Sequence, residues 1–224
     1  MRPRAVLLDA LGTLLTFPDP SPFLRRLVAE RHGVEVSRER ARAAIGAEMA
    51  FYRANHDMAS DAGRLQELRL RCAEILRDAL ELDVPPADLV ATLLDSLRFE
   101  AFAEVAEVLD ELRRRGHRLA VVSNWDFSLH EVLERIGLGG RFDVVVTSAE
   151  LGVAKPDPAI FSHALAAVGA DAGDAIHAGD SLSEDVAGAR SAGVSPVLVC
   201  RGPPCDGGGT PVVADLRGLL EHAP

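Results

Sequence analysis

Apolar residues return along this chain in two rhythms, and the change between them divides it. From Ser21 to Leu97 the spacing is three and four. SPFLRRLVAERHG, SRERARAAIGAEMAFYRANH, DAGRLQELRLRCAEILRDAL and PADLVATLLDSL each read as an amphipathic helix. Ser21, Ser37 and Asp61 stand where N-caps belong, Pro22 suits a first helical turn, and Gly33 suits a stop. Before this block, residues 4–9 are a compact apolar run that reads as a strand. After Phe99 the rhythm alternates. EVAEVLDELRRRG, DFSLHEVLERIG, PDPAIFSHALAAVG and SEDVAGARSAG read as helices, while HRLAVVSN, FDVVVTS, DAIHAGD and SPVLVC read as strands. A short strand and helix follow at the end, and DGGG at 206–209 reads as a loop. Alternation of this kind predicts a parallel sheet covered by helices on both faces. A single strand cannot stand alone, so residues 4–9 must join that sheet. The expected fold is α/β: a Rossmann-like parallel core of residues 1–16 and 99–224, interrupted by an inserted helical domain at 17–98.

Composition narrows the class. The chain has 224 residues, 48% of them hydrophobic, enough for a sizeable core. Its net charge is −10 with no basic stripe, which predicts no nucleic-acid partner. No apolar stretch is long enough to span a bilayer, and the apolar opening is short and contains an acid, unlike a secretory signal. A cytoplasmic protein without a membrane partner, monomeric or homodimeric, is expected. Cys72, Cys200 and Cys205 are odd in number and lack a CxxC or Cys/His pattern, which argues against a disulfide framework or a zinc site.

The basic side chains carry a sharper signal. All are arginine except Lys155. A compositional bias explains many arginines but not the one position that kept lysine. A compact ammonium with rotatable donors suits sites that a planar guanidinium does not.

In parallel α/β sheets the ligand sits outside the carboxyl ends of the strands. Here those ends carry Asp9, then Ser123-Asn124, then Thr147-Ser148 with Lys155 following, then Gly179-Asp180 with Asp185 following. Each has a plainer reading as well. Asp126 and Asp157 suit helix caps, and Asp185 suits an exposed first-turn acid. Together they place acids, hydroxyls and one amine on a single sheet edge.

Four ordered segments, DALGTL at 9–14, SN at 123–124, KPDP at 155–158 and GDSLSED at 179–185, resemble the four signature motifs of the haloacid dehalogenase superfamily of hydrolases. The resemblance covers the core, and the helical insert resembles that superfamily's C1 type of cap. It implies that Asp9 is a carboxylate nucleophile forming a covalent intermediate. It implies that Thr13 and Ser123, with Asn124 beside it, orient the nucleophile and the transferred group. Lys155 matches the lysine that neutralises nucleophile and substrate anion. Asp180 and Asp185, with Asp9 and the backbone carbonyl of Leu11, match a magnesium site. The physics agrees, because three carboxylates in one crevice repel each other until a divalent oxygen-seeking cation joins them.

One part is missing. Phosphatases of the superfamily carry Asp where Leu11 stands, as the acid for the leaving group and the base for water. Such help is typically worth about 10²–10⁴ in rate. Three readings follow: a Mg²⁺-dependent phosphatase of a small phosphomonoester whose leaving group needs no proton, a metal-independent 2-haloacid dehalogenase, or a ligand-binding protein without turnover. Dehalogenases of the superfamily have a DAYGTL-like first motif but lack a GDSLSED-like fourth one. The domain-containing-protein-three subgroup also lacks the second Asp and has similar SNWD-like and KPDPAIF-like segments. The retained Asp180 and Asp185 favour the phosphatase. Within the insert, Tyr52, Arg53 and His56 share one helical face and can contact substrate, with His56 able to replace the missing acid. A packing role for Tyr52, with Arg53 and His56 solvated, is the plainer reading. Trp125, after the second motif, suits either the wall of an entrance or packing.

Overall fold

The computed structural model describes residues 4–223. Strand β1 (Ala5–Leu8) is followed by the two-residue strand β2 (Leu15–Thr16) and by helices α1 (Ser21–His32), α2 (Arg38–Asn55), α3 (Ala62–Leu80) and α4 (Pro86–Ser96). Strand β3 (Glu100–Ala101) and helix α5 (Val105–Arg114) lead to β4 (Arg118–Ser123), α6 (Leu129–Arg135) and β5 (Val144–Thr147). Then come α7 (Ser148–Leu151), α8 (Pro158–Val168), β6 (Ala175–Gly179), α9 (Ala187–Ser191), β7 (Ser195–Val199) and β8 (Val212–Val213). The chain divides into two compact units, residues 1–16 with 100–224, and residues 17–99.

In the helical unit the apolar stripes meet as the spacing demands. Leu24, Val28, Ala41, Ala44, Ile45, Leu65, Leu68, Leu76, Leu89 and Leu93 are buried. Ser37 accepts from Arg40 N (3.1 Å) and Asp61 from Arg64 N (3.0 Å), so both cap their helices. Gly33 ends α1 with φ +68°, a conformation that favours glycine. Ser21 is not a cap. It is the first residue of α1, and both its N–H and its hydroxyl donate to Asp19 Oδ1 (3.0 and 2.6 Å). The carboxylate lies two residues earlier and takes the open N–H of Ser21 at the start of the helix. The Phe17 and Phe99 rings stack at 4.9 Å between centroids, closing the two ends of the unit on each other.

The core unit is a six-stranded sheet in the order β5-β4-β1-β6-β7-β8, every pair parallel. β1 is central and buried along its whole length. One face carries Ala5, Leu7, Ala120 and Val122 against Ile160, Phe161, Ala164 and Leu165 of α8 and Ala189 of α9. From β1 the order runs through β4 and β5 in one direction and through β6, β7 and β8 in the other. The sheet therefore changes direction at β1, and a crevice forms at the carboxyl ends of β1, β4 and β6. The small antiparallel pair β2–β3, with Leu15 opposite Ala101, lies outside the periodicity and sets the two crossings to the insert side by side. The expected terminal helix is a 3₁₀ helix, Leu216–Glu221.

Two of the three cysteines pair locally. Cys200 and Cys205 are joined in a disulfide, while Cys72 is buried and free of one. The pair forms no framework. It closes a local loop through Gly202, Pro203 and Pro204, turn residues that bring two nearby cysteines together without a recognisable motif. Among the described residues, no helix is long and apolar enough to cross a membrane.

Candidate active site

Asp9 is the first residue beyond β1. Its N–H donates to Ala178 O of β6 (2.9 Å), so the sheet register itself sets the height of its carboxylate. The chain then turns tightly. Thr13, Leu14 and Leu15 all donate to Ala10 O (3.3, 2.8 and 3.0 Å), and Gly12 N donates to Leu15 O (2.8 Å). These bonds use the carbonyls of Ala10 and Leu15, not that of Leu11. Gly12 takes φ +84°, and a Cβ there would collide with the Asp180 carboxylate. Only glycine lets the loop after Asp9 approach that acid so closely.

Around Asp9 the structure gathers side chains from three other strand ends. Ser123 Oγ donates to Asp9 Oδ1 (3.2 Å). Lys155 Nζ donates to the same oxygen (2.6 Å) and to Asp185 Oδ1 (2.6 Å), with its side chain only 1% exposed. His177 Nε2, on β6, donates to Asp185 Oδ1 (2.8 Å), and Ser181 N donates to Asp185 Oδ2 (3.0 Å). Asp185 sits in a π-helical turn, Leu182–Val186, which carries it inward over Gly179. A Cβ on Gly179 would meet its carboxylate. Asp185 is thus buried, not the exposed first-turn acid of the plainer reading. Asp180 is exposed beside it.

Carboxylate oxygens of Asp9, Asp180 and Asp185 all lie within 4.8 Å of one another. Three hard oxygens at that span fit a divalent cation that prefers oxygen ligands. The electrostatics fit it too. Burial, then the Asp9 and Asp185 charges, push the Asp180 carboxyl up to about 6. Burial pushes Asp9 up as well, against the pull of Lys155. Burial opposes the charges of Asp185 and Lys155. It is outweighed in Asp185 by Lys155 and His177, which hold the carboxyl well below its usual range. It is outweighed in Lys155 by the two acids, which hold the ammonium well above the ordinary lysine value. Three acids share one fixed cation, and a second positive charge would relieve the remainder.

The other residues singled out in the sequence take different places. Thr13 Oγ1 is buried and has no hydrogen-bond partner among the described residues. Asn124 does not bond Asp9. Its Nδ2 donates to Lys155 O (3.0 Å) and Glu184 Oε2 (3.0 Å), and its Oδ1 accepts from Lys155 N (2.7 Å). It splints the second, third and fourth motifs together. Trp125 is buried, its indole N–H donating to Ser128 Oγ (3.2 Å). Asp126 takes Ser128 N (2.7 Å), and Asp157 caps α8 through Ala159 N (2.9 Å). In the helical unit Tyr52 stacks on His56 at 5.5 Å between centroids, and Arg53 is exposed. His56 is tied locally, its Nδ1 to Arg53 O (3.1 Å) and its Nε2 to Asp57 (3.3 Å). The residue that the motifs did not reveal is His177. Its signal is a histidine inside an otherwise apolar central strand.

The chain matches the family described as haloacid dehalogenase-like hydrolase over residues 3–193. It is 45% identical over 94 residues to the haloacid dehalogenase-like hydrolase domain-containing protein 3 of Bos taurus, covering 42% of this chain and 38% of that protein. It is 42% identical over 106 residues to a phosphoserine phosphatase of Thermus thermophilus, covering 47% and 43%. The chain thus spans about two fifths of the length of these relatives. Among solved structures it is similar to a HAD phosphatase from Thermococcus onnurineus, with TM-score 0.68 and 25% identity over 98% of this chain and 97% of that one. It is equally similar to a 2-haloacid dehalogenase from Pseudomonas syringae, with TM-score 0.69 and 26% identity over 97% and 96%. With the matched span running from β1 to the end of α9, the chain belongs to the haloacid dehalogenase-like hydrolases.

Proposed function

We propose that the protein is a Mg²⁺-dependent phosphatase of small phosphomonoesters, with Asp9 as nucleophile. The observation that carries this reading is the trio Asp9, Asp180 and Asp185 with oxygens inside 4.8 Å, around a single buried lysine. Displacement of halide from a haloacid has no use for two extra acids, whereas phosphoryl transfer needs neutralisation of spreading negative charge. The relatives named as phosphatases support the same choice. Magnesium, held by these three carboxylates and the Leu11 carbonyl, would supply charge neutralisation at the phosphoryl oxygens.

The chain's own residues do the rest. Ser123 and Lys155 hold the Asp9 Oδ1 oxygen, which leaves Oδ2 to attack phosphorus. A bond from that oxygen to phosphorus forms as the ester P–O bond breaks, and the leaving group departs with the electron pair. Water then attacks phosphorus, releasing phosphate and restoring the Asp9 carboxylate. Lys155, charged throughout, faces the developing anion, and the unpartnered Thr13 hydroxyl is free to donate to it. Leu11 donates no proton. The substrates that suit this site are aryl or acyl phosphates, whose leaving groups are weak bases.

A panel of aryl, acyl and alkyl phosphates, with and without Mg²⁺, tests the reading. Release of phosphate only with Mg²⁺, and fastest from aryl or acyl esters, is expected. Halide release from 2-haloacids without metal would overturn it. Binding of phosphate with no turnover of any ester would make the protein a ligand-binding member of the family.

A further inference from the structure

Arg201 lies two residues beyond the end of β7, two strands away from β1 in the sheet. Its guanidinium nevertheless reaches the loop that follows Asp9. Nε donates to Gly12 O (3.1 Å) and Nη2 to Thr13 O (2.7 Å). Two successive carbonyls of the nucleophile turn are therefore gripped by one planar fork. The fork itself is held firmly. Nη2 pairs with Glu104 Oε1 at 2.6 Å, and the guanidinium carbon sits 3.5 Å above the centre of the Phe102 ring. Glu104 is buried and also accepts from Leu216 N (3.4 Å), while Phe102 N donates to Leu14 O (3.1 Å). Arg201 is 17% exposed.

We infer that Arg201 is a positioning residue for the reaction proposed above, acting on Asp9 and Thr13 through the backbone between them. The turn has two supports. From inside, Ala10 O gathers the N–H groups of residues 13 to 15. From outside, Arg201 gathers the carbonyls of residues 12 and 13. Between the supports lie the left-handed Gly12 and the buried Thr13 hydroxyl. Without the outer support, the peptide planes on either side of Thr13 can rotate. The Thr13 hydroxyl and the Leu11 carbonyl would then lose their fixed direction relative to the Asp9 oxygens. Because Glu104 neutralises Arg201, its long-range field at the phosphoryl group is small, and its effect is geometric. Only arginine offers two parallel donors together with a face that stacks on Phe102. A lysine there would reach one carbonyl as a point charge.

The inference rests on Asp9 being the phosphoryl acceptor, so its test has an arm that does not depend on turnover. In Arg201→Ala, amide hydrogen exchange at Thr13, Leu14 and Leu15 should quicken while exchange in α8 and β4 stays at the wild-type rate. With p-nitrophenyl phosphate and Mg²⁺, kcat of Arg201→Ala should fall about 10–100-fold, the scale of a small misplacement of reacting groups, with KM nearly unchanged. Millimolar guanidinium should restore part of that kcat, and Arg201→Lys should fall between wild type and alanine. Unchanged exchange at residues 13–15 overturns the inference. So does a loss of kcat that guanidinium does not restore and that tracks a lowered melting temperature, since Arg201 would then only stabilise the fold. A wild-type enzyme inactive on every phosphoester, with the exchange difference present, would instead overturn the phosphatase reading and leave Arg201 as the support of this turn.

Discussion

At position 11 a leucine stands 43% exposed beside a buried carboxylate. A singly exposed leucine is common on protein surfaces, so it is the position of Leu11, two residues after Asp9, that carries meaning. On the phosphatase reading, it takes the place of the group that would protonate a departing alkoxide. Leu11→Asp is therefore expected to raise kcat/KM, which reports the step that expels the leaving group, by as much as about 10²–10⁴ for alkyl phosphates and to change it little for aryl phosphates. Steady-state rates on a pair of esters that differ only in leaving-group basicity measure this. An unchanged ratio between the two would refute the account of Leu11. The pattern of the first motif made this residue legible at once. His177 was harder, because a lone histidine in a strand has no meaning until the strand is seen to lie beneath Asp185.

Among the elements, helix α2 carries a buried acid, Glu48, in the core of the helical unit. Burial pushes its carboxyl above the ordinary glutamate value, partly offset by a hydrogen bond from Cys72. The folded state thus holds this proton more tightly than the unfolded state does. The contribution is favourable when pH is below the unfolded value, and it is lost as pH rises through the raised folded value. Glu48→Gln is expected to raise the melting temperature at neutral pH and to flatten its decline between acid and neutral solution. Thermal melts across pH 4–8 in wild type and variant read this out, and parallel curves would contradict it. Most element types followed from periodicity, stripes of three and four giving the helices and short apolar runs between turn residues giving the strands. The pair β2–β3 did not, because two residues are too few to show a period. The same shortness hid the pairing of Cys200 with Cys205.

At the scale of the molecule, the sheet's change of direction at β1 assembles the site, and Lys155 ties its parts together. Its ammonium bridges the ends of β1 and β6 from a loop that follows β5, and its backbone is held by Asn124 beyond β4. Removing one partner of a buried ion pair typically costs about 3–5 kcal/mol. Lys155→Ala is expected to lose activity and to destabilise the core unit on that scale, with added Mg²⁺ recovering part of the stability. Denaturant unfolding with and without Mg²⁺ checks both points. A variant as stable as wild type without metal would mean that the acids do not depend on Lys155.

The sequence by itself determined the α/β class, the helical insert, and the strand ends on which Asp9, Ser123, Lys155, Asp180 and Asp185 stand. These depend on local spacing, which the chain carries openly. Which side chains touch was decided only by the tertiary structure. Asn124 became a splint, Asp185 turned inward over Gly179, His177 came to lie beneath it, and Arg201 reached past β6 to grip the turn after Asp9. Such contacts join residues up to 189 positions apart, and no periodicity encodes them. They follow from the order of the strands and from the depth at which each charge is buried, both of which exist only once the sheet has formed.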